Sequence, residues 1–202
     1  SSYADGSYFT DYINADYTPT FEKVAKLFEG VTIPSKEDWA ALAANVKVDG
    51  LYHQNRLAVA PNGSISYIND TSASLHPITR LIEERQEKKI GKIYYPAPHL
   101  SNESMPYYTS AYDMDMRKVI DVYATAQKHI DQGMSLTLFM RSVLPEGIYE
   151  WKKQGSSKLT TRDLNRLRNY AWTKGIKSLY YVRTYTEDDE FNSVNNCESC
   201  MI

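Results

Sequence analysis

Gly175-Ile-Lys-Ser-Leu-Tyr-Tyr-Val-Arg183 follows directly on Thr160-Thr-Arg-Asp-Leu-Asn-Arg-Leu-Arg-Asn-Tyr-Ala-Trp-Thr-Lys174, and together they read as a helix feeding a short strand. Thr160 and Asp163 have the spacing of a capping box, Leu164, Leu167, Ala171 and Trp172 form a helical stripe, and Gly175 is placed to end the helix in the left-handed conformation. In the strand, Ile176, Ser178, Tyr180 and Val182 share one face, and Lys177, Leu179 and Tyr181 the other. After Arg183 the apolar pattern stops. An acidic run leads to Cys197-Glu-Ser-Cys200, so a packed region over 1–183 and a flexible tail over 184–202 are expected.

Working outward, residues 134–140 alternate as a strand, and residues 115–131 carry Met116, Val119, Ile120, Tyr123, Ala126, Gln127 and Ile130 along one side of a long helix. Pro145-Glu-Gly147 reads as a turn, a short helical piece is expected around Tyr149 and Trp151, and residues 152–158 read as a polar loop. Residues 93–112, rich in Pro, Tyr and Ser, are expected to be irregular, and the charged stretch 80–92 a solvated helix or loop. The apolar run 57–60 suits a buried strand. Nearer the start, Phe21, Val24, Leu27 and Phe28 predict a helix ending at Gly30. Ser35 with Asp38 opens another, whose buried stripe is Trp39, Leu42, Ala43 and Val46 before Gly50. Residues 1–18 show no stripe and read as a connector or an incomplete element. Helix and strand alternating at these spacings predict an α/β fold rather than a bundle.

Composition narrows the function classes. A chain of 202 residues can bury an ordinary core, and a net charge of −2 gives no surface suited to polyanions, so no nucleic-acid partner is expected. The sequence has no apolar run long enough to span a membrane and opens on residues unlike a signal peptide, so it reads as soluble and cytoplasmic, without a membrane partner. The two cysteines, both near the C-terminus, fit a reducing compartment. Tyrosine is abundant, at 17 residues, and recurs in adjacent pairs at 94/95, 107/108 and 180/181, which packing alone could explain.

Three stretches carry chemistry. Pro61-Asn-Gly-Ser-Ile-Ser66 follows a strand, and if a helix starts there, the turn's N–H groups and the Ser64 and Ser66 hydroxyls form a cradle for phosphate or diphosphate; the competing reading is a plain turn. Tyr180 and Tyr181 are phenols that could give up an electron together with a proton, but contact between neighbours on a strand needs a bend. Cys197 and Cys200 are too few for a structural zinc site, and His53, His76, His99 and His129 show no ligand spacing, so no metal is assigned. A dithiol on a mobile arm suits thiol–disulfide exchange; the competing reading is a pair of bystander cysteines.

In this order the stretches resemble the C-terminal part of the large, catalytic subunit of class Ib ribonucleoside-diphosphate reductases. The likeness rests on Leu51-Tyr-His-Gln-Asn-Arg-Leu-Ala-Val-Ala-Pro-Asn-Gly-Ser-Ile-Ser66, Asp131-Gln-Gly-Met-Ser135, Leu179-Tyr-Tyr181 and Cys197-Glu-Ser-Cys200-Met-Ile. The resemblance implies a ten-stranded α/β barrel with helical surroundings. It further implies a substrate diphosphate held at Pro61, Asn62, Gly63, Ser64 and Ile65 with Ser66 adjoining, and a radical passed through Tyr180 and Tyr181. Cys197 and Cys200 would re-reduce the active-site disulfide and be reduced in turn by an external thioredoxin- or glutaredoxin-like protein. The helix over 161–173 is similar to one flanking the groove for the small subunit's C-terminal peptide.

The chain also departs from that family. It has no cysteine before Cys197 and no room for the effector region, so the radical thiol and its neighbours belong to sequence upstream. The expectation is roughly the last third or less of a subunit, inactive alone and carrying no cofactor of its own. The resemblance implies as partners the upstream portion of the same subunit, a small subunit whose dimetal site supplies the radical, the protein reductant and the ribonucleoside diphosphate, within a homodimeric enzyme. Two other classes remain: a non-catalytic module binding the small-subunit peptide or an anion, and a thiol oxidoreductase in its own right. The second fits poorly, because such cysteine pairs usually sit at a helix N-terminus.

Overall fold

The computed structural model describes residues 3, 5–87, 91–152 and 157–186, which fall into two compact units, Ser1–Asn55 and Arg56–Ile202. In the first unit the helices are α1 (Ser7–Asn14), α2 (Glu22–Leu27) and α3 (Lys36–Asp49). The α3 boundary follows the sequence expectation: Asp38 N donates to Ser35 Oγ at 3.1 Å, and Ser35 N donates to the Asp38 carboxylate at 2.9 Å. Its far end closes at Gly50, which has φ 73°. Ala43 and Val46 are buried with Tyr3 and Phe9, and Trp39 stacks on Tyr12 at 4.4 Å.

Two expectations fail here. Residues 1–18 are more than a connector, since α1 lies within them and buries Phe9; Tyr8 and Tyr12, one turn apart, pack their rings at 5.3 Å. Conversely, the stripe expected after Pro19 does form a helix, yet α2 buries nothing, and Phe21 and Leu27 are 75% and 78% exposed.

The second unit is built on β3 (Thr137–Arg141), which pairs in parallel with β4 (Tyr181–Tyr185), Thr137 opposite Tyr181 and Arg141 opposite Tyr185. Parallel neighbours need a crossover connection, and α6 (Thr161–Thr173) lies on the path between them. α5 (Met116–Gln127) covers the same core, in which Met116, Ile120, Tyr123, Leu136, Leu138, Met140 and Leu167 are fully buried. Residues 137–140 are buried on both faces rather than alternately, as befits a strand enclosed by helices. α6 begins at the expected capping box, with Asp163 N on Thr160 Oγ1 at 3.3 Å and Thr160 N on Asp163 Oδ2 at 2.9 Å, and Gly175 follows it at φ 82°. Trp172, expected in the stripe, is instead 78% exposed.

Elsewhere the structure corrects the reading. Residues 57–60 supply one isolated parallel bridge, Val59 to Met134, rather than a full strand. The charged stretch 80–92 contributes to an antiparallel hairpin of β1 (Ile82–Glu87) and β2 (Gly91–Pro96), so residues 93–96 are not irregular either. Its polar faces are joined by Lys92–Glu84 at 2.7 Å and Arg85–Glu83 at 3.0 Å, which explains how so many charges fit a ribbon. Beyond it, Met105–Tyr107 and Ala111–Asp113 form 3-10 turns, while Tyr149 lies in irregular backbone and Trp151 in a turn rather than a helix. β4 starts later than expected and runs to Tyr185. The α/β expectation holds as a mixture of helix and strand, but the described residues form no closed barrel. Among them no helix is long and apolar enough to cross a membrane.

Candidate functional site

The stretch around residue 61 is set in place by residues 131–135, just before β3. The Asp131 carboxylate accepts from Arg56 N and Leu57 N at 2.7 Å each, and Ser135 N donates to Val59 O at 2.9 Å. The chain then leaves the sheet at Pro61, and Asn62 takes the left-handed conformation, φ 48°, to start α4 (Gly63–Ile68). The first-turn N–H groups of Gly63, Ser64 and Ile65 have no acceptor within the helix. Ser64 is exposed and Ile65 is 57% exposed, so the donors this turn offers are the N–H groups of residues 63–65 and the Ser64 hydroxyl. Ser66 differs: it is buried, and its Oγ donates to Gly63 O at 2.7 Å, holding the turn together.

The chain after α4 returns to β3. Thr71 N donates to Ser66 O at 3.0 Å; Ser74 Oγ and the Tyr123 hydroxyl reach Ser135 O at 3.1 and 2.9 Å; and Thr137 N donates to His76 Nε2 at 2.9 Å. Sequence reasoning missed His76, because a single histidine far from its partner leaves no spacing signal. Tyr67 on α4 binds the hairpin, donating to Glu83 at 2.7 Å beneath the Arg85 guanidinium, with its ring 4.1 Å from that of Tyr95.

Tyr180 and Tyr181 sit on the other edge of β3. Tyr180 N donates to Leu136 O at 2.8 Å, and Tyr181 opens β4 opposite Thr137. The ring centroids are 4.1 Å apart with planes at 54°, so the bend that contact requires occurs where the chain enters β4. Both rings are about half exposed. A hydrogen bond with Tyr181 pushes the Tyr180 pKa up, because it favours the protonated phenol. The Val59 bridge is made at Met134, three residues before Thr137, where β3 begins and pairs with Tyr181. The two candidate stretches therefore attach to one run of chain, residues 134–137.

Cys197 and Cys200 lie outside the described residues. Among the described residues no three of His, Cys, Asp and Glu cluster as metal ligands would. A cavity of about 450 Å³ lies where β3 ends, lined by Asp113, Arg141, Leu144 and Tyr185 among others. It includes none of residues 61–66, 180 or 181, and its Arg141 guanidinium is held by Asp113 at 2.6 Å.

A family model described as ribonucleotide reductase, barrel domain, matches residues 1–182. The chain belongs to the ribonucleotide reductase barrel-domain family. It is 45% identical over 202 residues to the ribonucleoside-diphosphate reductase subunit alpha of Bacillus subtilis (strain 168), covering all of this chain and 26% of that subunit. The subunit alpha of Mycoplasma pneumoniae is 40% identical over 213 aligned positions, with all of this chain and 28% of the relative covered. That of Helicobacter pylori is 34% identical over 157 residues, 78% of this chain and 18% of the relative. The chain thus spans about a quarter of the B. subtilis relative, and corresponds to a C-terminal part of a much longer alpha subunit.

Proposed function

We propose that this chain is the C-terminal portion of a ribonucleoside-diphosphate reductase catalytic subunit, contributing a diphosphate loop, a tyrosine relay and a tail dithiol. In the reaction the ribose 2′-hydroxyl leaves as water, a hydrogen takes its place, and two thiols supplied upstream become a disulfide. Residues 61–65 hold the diphosphate through backbone donors and the Ser64 hydroxyl, with Ser66 bracing the turn. Tyr180 and Tyr181 pass an electron and a proton between the radical-generating small subunit and the upstream thiol. Cys197 and Cys200 then exchange with the upstream disulfide, becoming a disulfide themselves, and a thioredoxin- or glutaredoxin-like protein reduces them. The remaining strands of a ten-stranded barrel come from the upstream portion, residues 1–183 belong to that barrel, residues 184–202 are its tail, and the whole works as a cytoplasmic homodimer.

The observation that carries this reading is the contact of the two phenol rings, 4.1 Å apart and half exposed, on a strand adjoining the one that anchors residues 61–66. The test combines this chain with the missing upstream portion and the small subunit and follows deoxynucleotide formation. Tyr180→Phe and Tyr181→Phe, each lacking the ionisable hydroxyl, are expected to abolish turnover; full activity in either would remove the relay. Cys197→Ser should retain turnover with a small dithiol and lose it with a protein reductant. Equal loss with both would count against the shuttle.

A further inference from the structure

The segment that carries residues 61–66 leaves and rejoins the chain at residues 135–137, where β3 begins. At its start Ser135 N is bonded to Val59 O, and at its end Thr137 N is bonded to His76 Nε2 at 2.9 Å. Just before β3 the chain turns tightly, Leu136 N donating to Met134 O at 2.9 Å; Ser135 N meets Val59 and Thr137 N meets His76, while Leu136 O accepts from Tyr180 N on the way into β4. The last backbone carbonyl of that neighbouring segment bonded here is that of Val59, and the next N–H on this side, that of Thr137, meets the His76 imidazole instead.

We infer that His76 is a positioning residue for the 61–66 loop, its neutral ring taking the sheet-edge hydrogen bond that the departing chain gives up. For ligand binding this rests on the diphosphate reading above. The ring is wedged between Tyr123, stacked at 5.6 Å, and Phe139, edge-on at 5.3 Å, and the residues before it, Ser74 and Leu75, are both hydrogen-bonded to the Tyr123 hydroxyl. With Nε2 accepting, the ring proton sits on Nδ1. An imidazolium has two donors and no acceptor, so protonation would leave Thr137 N–H without its partner. The titratable groups facing the ring are the Tyr123 phenol and the Arg183 guanidinium, and the second also disfavours a cation there. Thr137 is the residue opposite Tyr181, so one peptide group meets the loop anchor on one side and the tyrosine strand on the other.

The test is nuclear magnetic resonance of the 202-residue chain, with His76→Leu and His76→Gln, the glutamine restoring an acceptor, and with CDP as the probe. The expected signature is a 15N–15N coupling across the hydrogen bond from the Thr137 amide to His76 Nε2. In His76→Leu the amide signals of residues 61–66 should move and CDP affinity fall about tenfold, as for one lost hydrogen bond, with glutamine recovering most of both. A protonated Nε2 in the unaltered chain, or unmoved 61–66 amides in His76→Leu, would overturn the role. Should the unaltered chain show the coupling but bind no CDP, the diphosphate reading falls instead, and the loop amides alone decide His76.

Discussion

Tyr180 and Tyr181 are chain neighbours whose rings meet at 4.1 Å, although adjacent strand residues ordinarily point to opposite faces. The hydrogen bond between them raises the Tyr180 pKa, because its proton is held by the second phenol. Tyr181→Phe should therefore let Tyr180 ionise at lower pH. Ultraviolet titration of phenolate, with Tyr180→Phe to identify the signal, reads this directly. An unmoved Tyr180 transition would mean that the rings touch without sharing a proton.

Gly133 permits a close approach rather than an unusual backbone angle. A Cβ there would lie 2.5 Å from Ser178 Oγ and 3.3 Å from Ser178 Cβ, in the stretch leading to the tyrosine pair, where Ser178 Oγ donates to Met134 O at 3.2 Å. Gly133→Ala is expected to cost about 1–3 kcal/mol by overpacking. Adding Ser178→Gly should recover most of that in urea unfolding. Strict additivity of the two changes would show that the clash is relieved elsewhere.

Acid should act through His76. Burial pushes its pKa down from 6.5 to about 4; the Ser135 carbonyl partly opposes this, and the Arg183 charge adds to it. The unfolded chain takes up this proton near pH 6.5 while the folded chain resists until about 4, so this contribution is complete above 6.5 and is lost as pH falls through that window. Melting temperatures across the window should drop more steeply for the unaltered chain than for His76→Gln. Parallel curves would mean that His76 does not titrate differently on folding.

Asp163 joins a helix start to a lysine. Its buried carboxylate accepts from Thr160 N at 2.9 Å, Thr160 Oγ1 at 2.6 Å and Lys152 Nζ at 2.5 Å. Burial pushes its pKa up, but the Lys152 and Thr160 donors outweigh that and hold it below the usual carboxylate value. Asp163→Ala removes a cap and strands a largely buried ammonium, so a loss of about 3 kcal/mol is expected, against about 1 for Thr160→Ala. Equal losses in chemical denaturation would reduce Asp163 to an ordinary cap.

The parts legible in the sequence were those set by short-range bonding. Ser35 with Asp38 and Thr160 with Asp163 mark the starts of α3 and α6 because both partners of each capping bond lie within one turn. The α5 stripe is likewise legible, since Met116, Val119, Ile120 and Tyr123 all end in the core. The hairpin of β1 and β2 was hidden because its charges are paired across the ribbon or with each other, and composition alone resembles a solvated loop. α2 shows the reverse: its pattern is right for burial, but nothing in the described structure covers it. At the candidate site, residues 61–65 and the tyrosines were visible as motifs. Ser66's inward hydroxyl and the His76 anchor were not, because the first depends on the rotamer a turn imposes and the second joins positions 61 residues apart.

Pairing of β4 with β3 alone has a practical consequence. Among the described residues its outer side meets no further strand, and its alternating peptide groups face outward as a template for any extended chain. Kept apart from the rest of a longer subunit, the molecule is expected to recruit copies of itself along that rim as its concentration rises. Supplying the absent neighbour should suppress such clustering before any catalysis is measured.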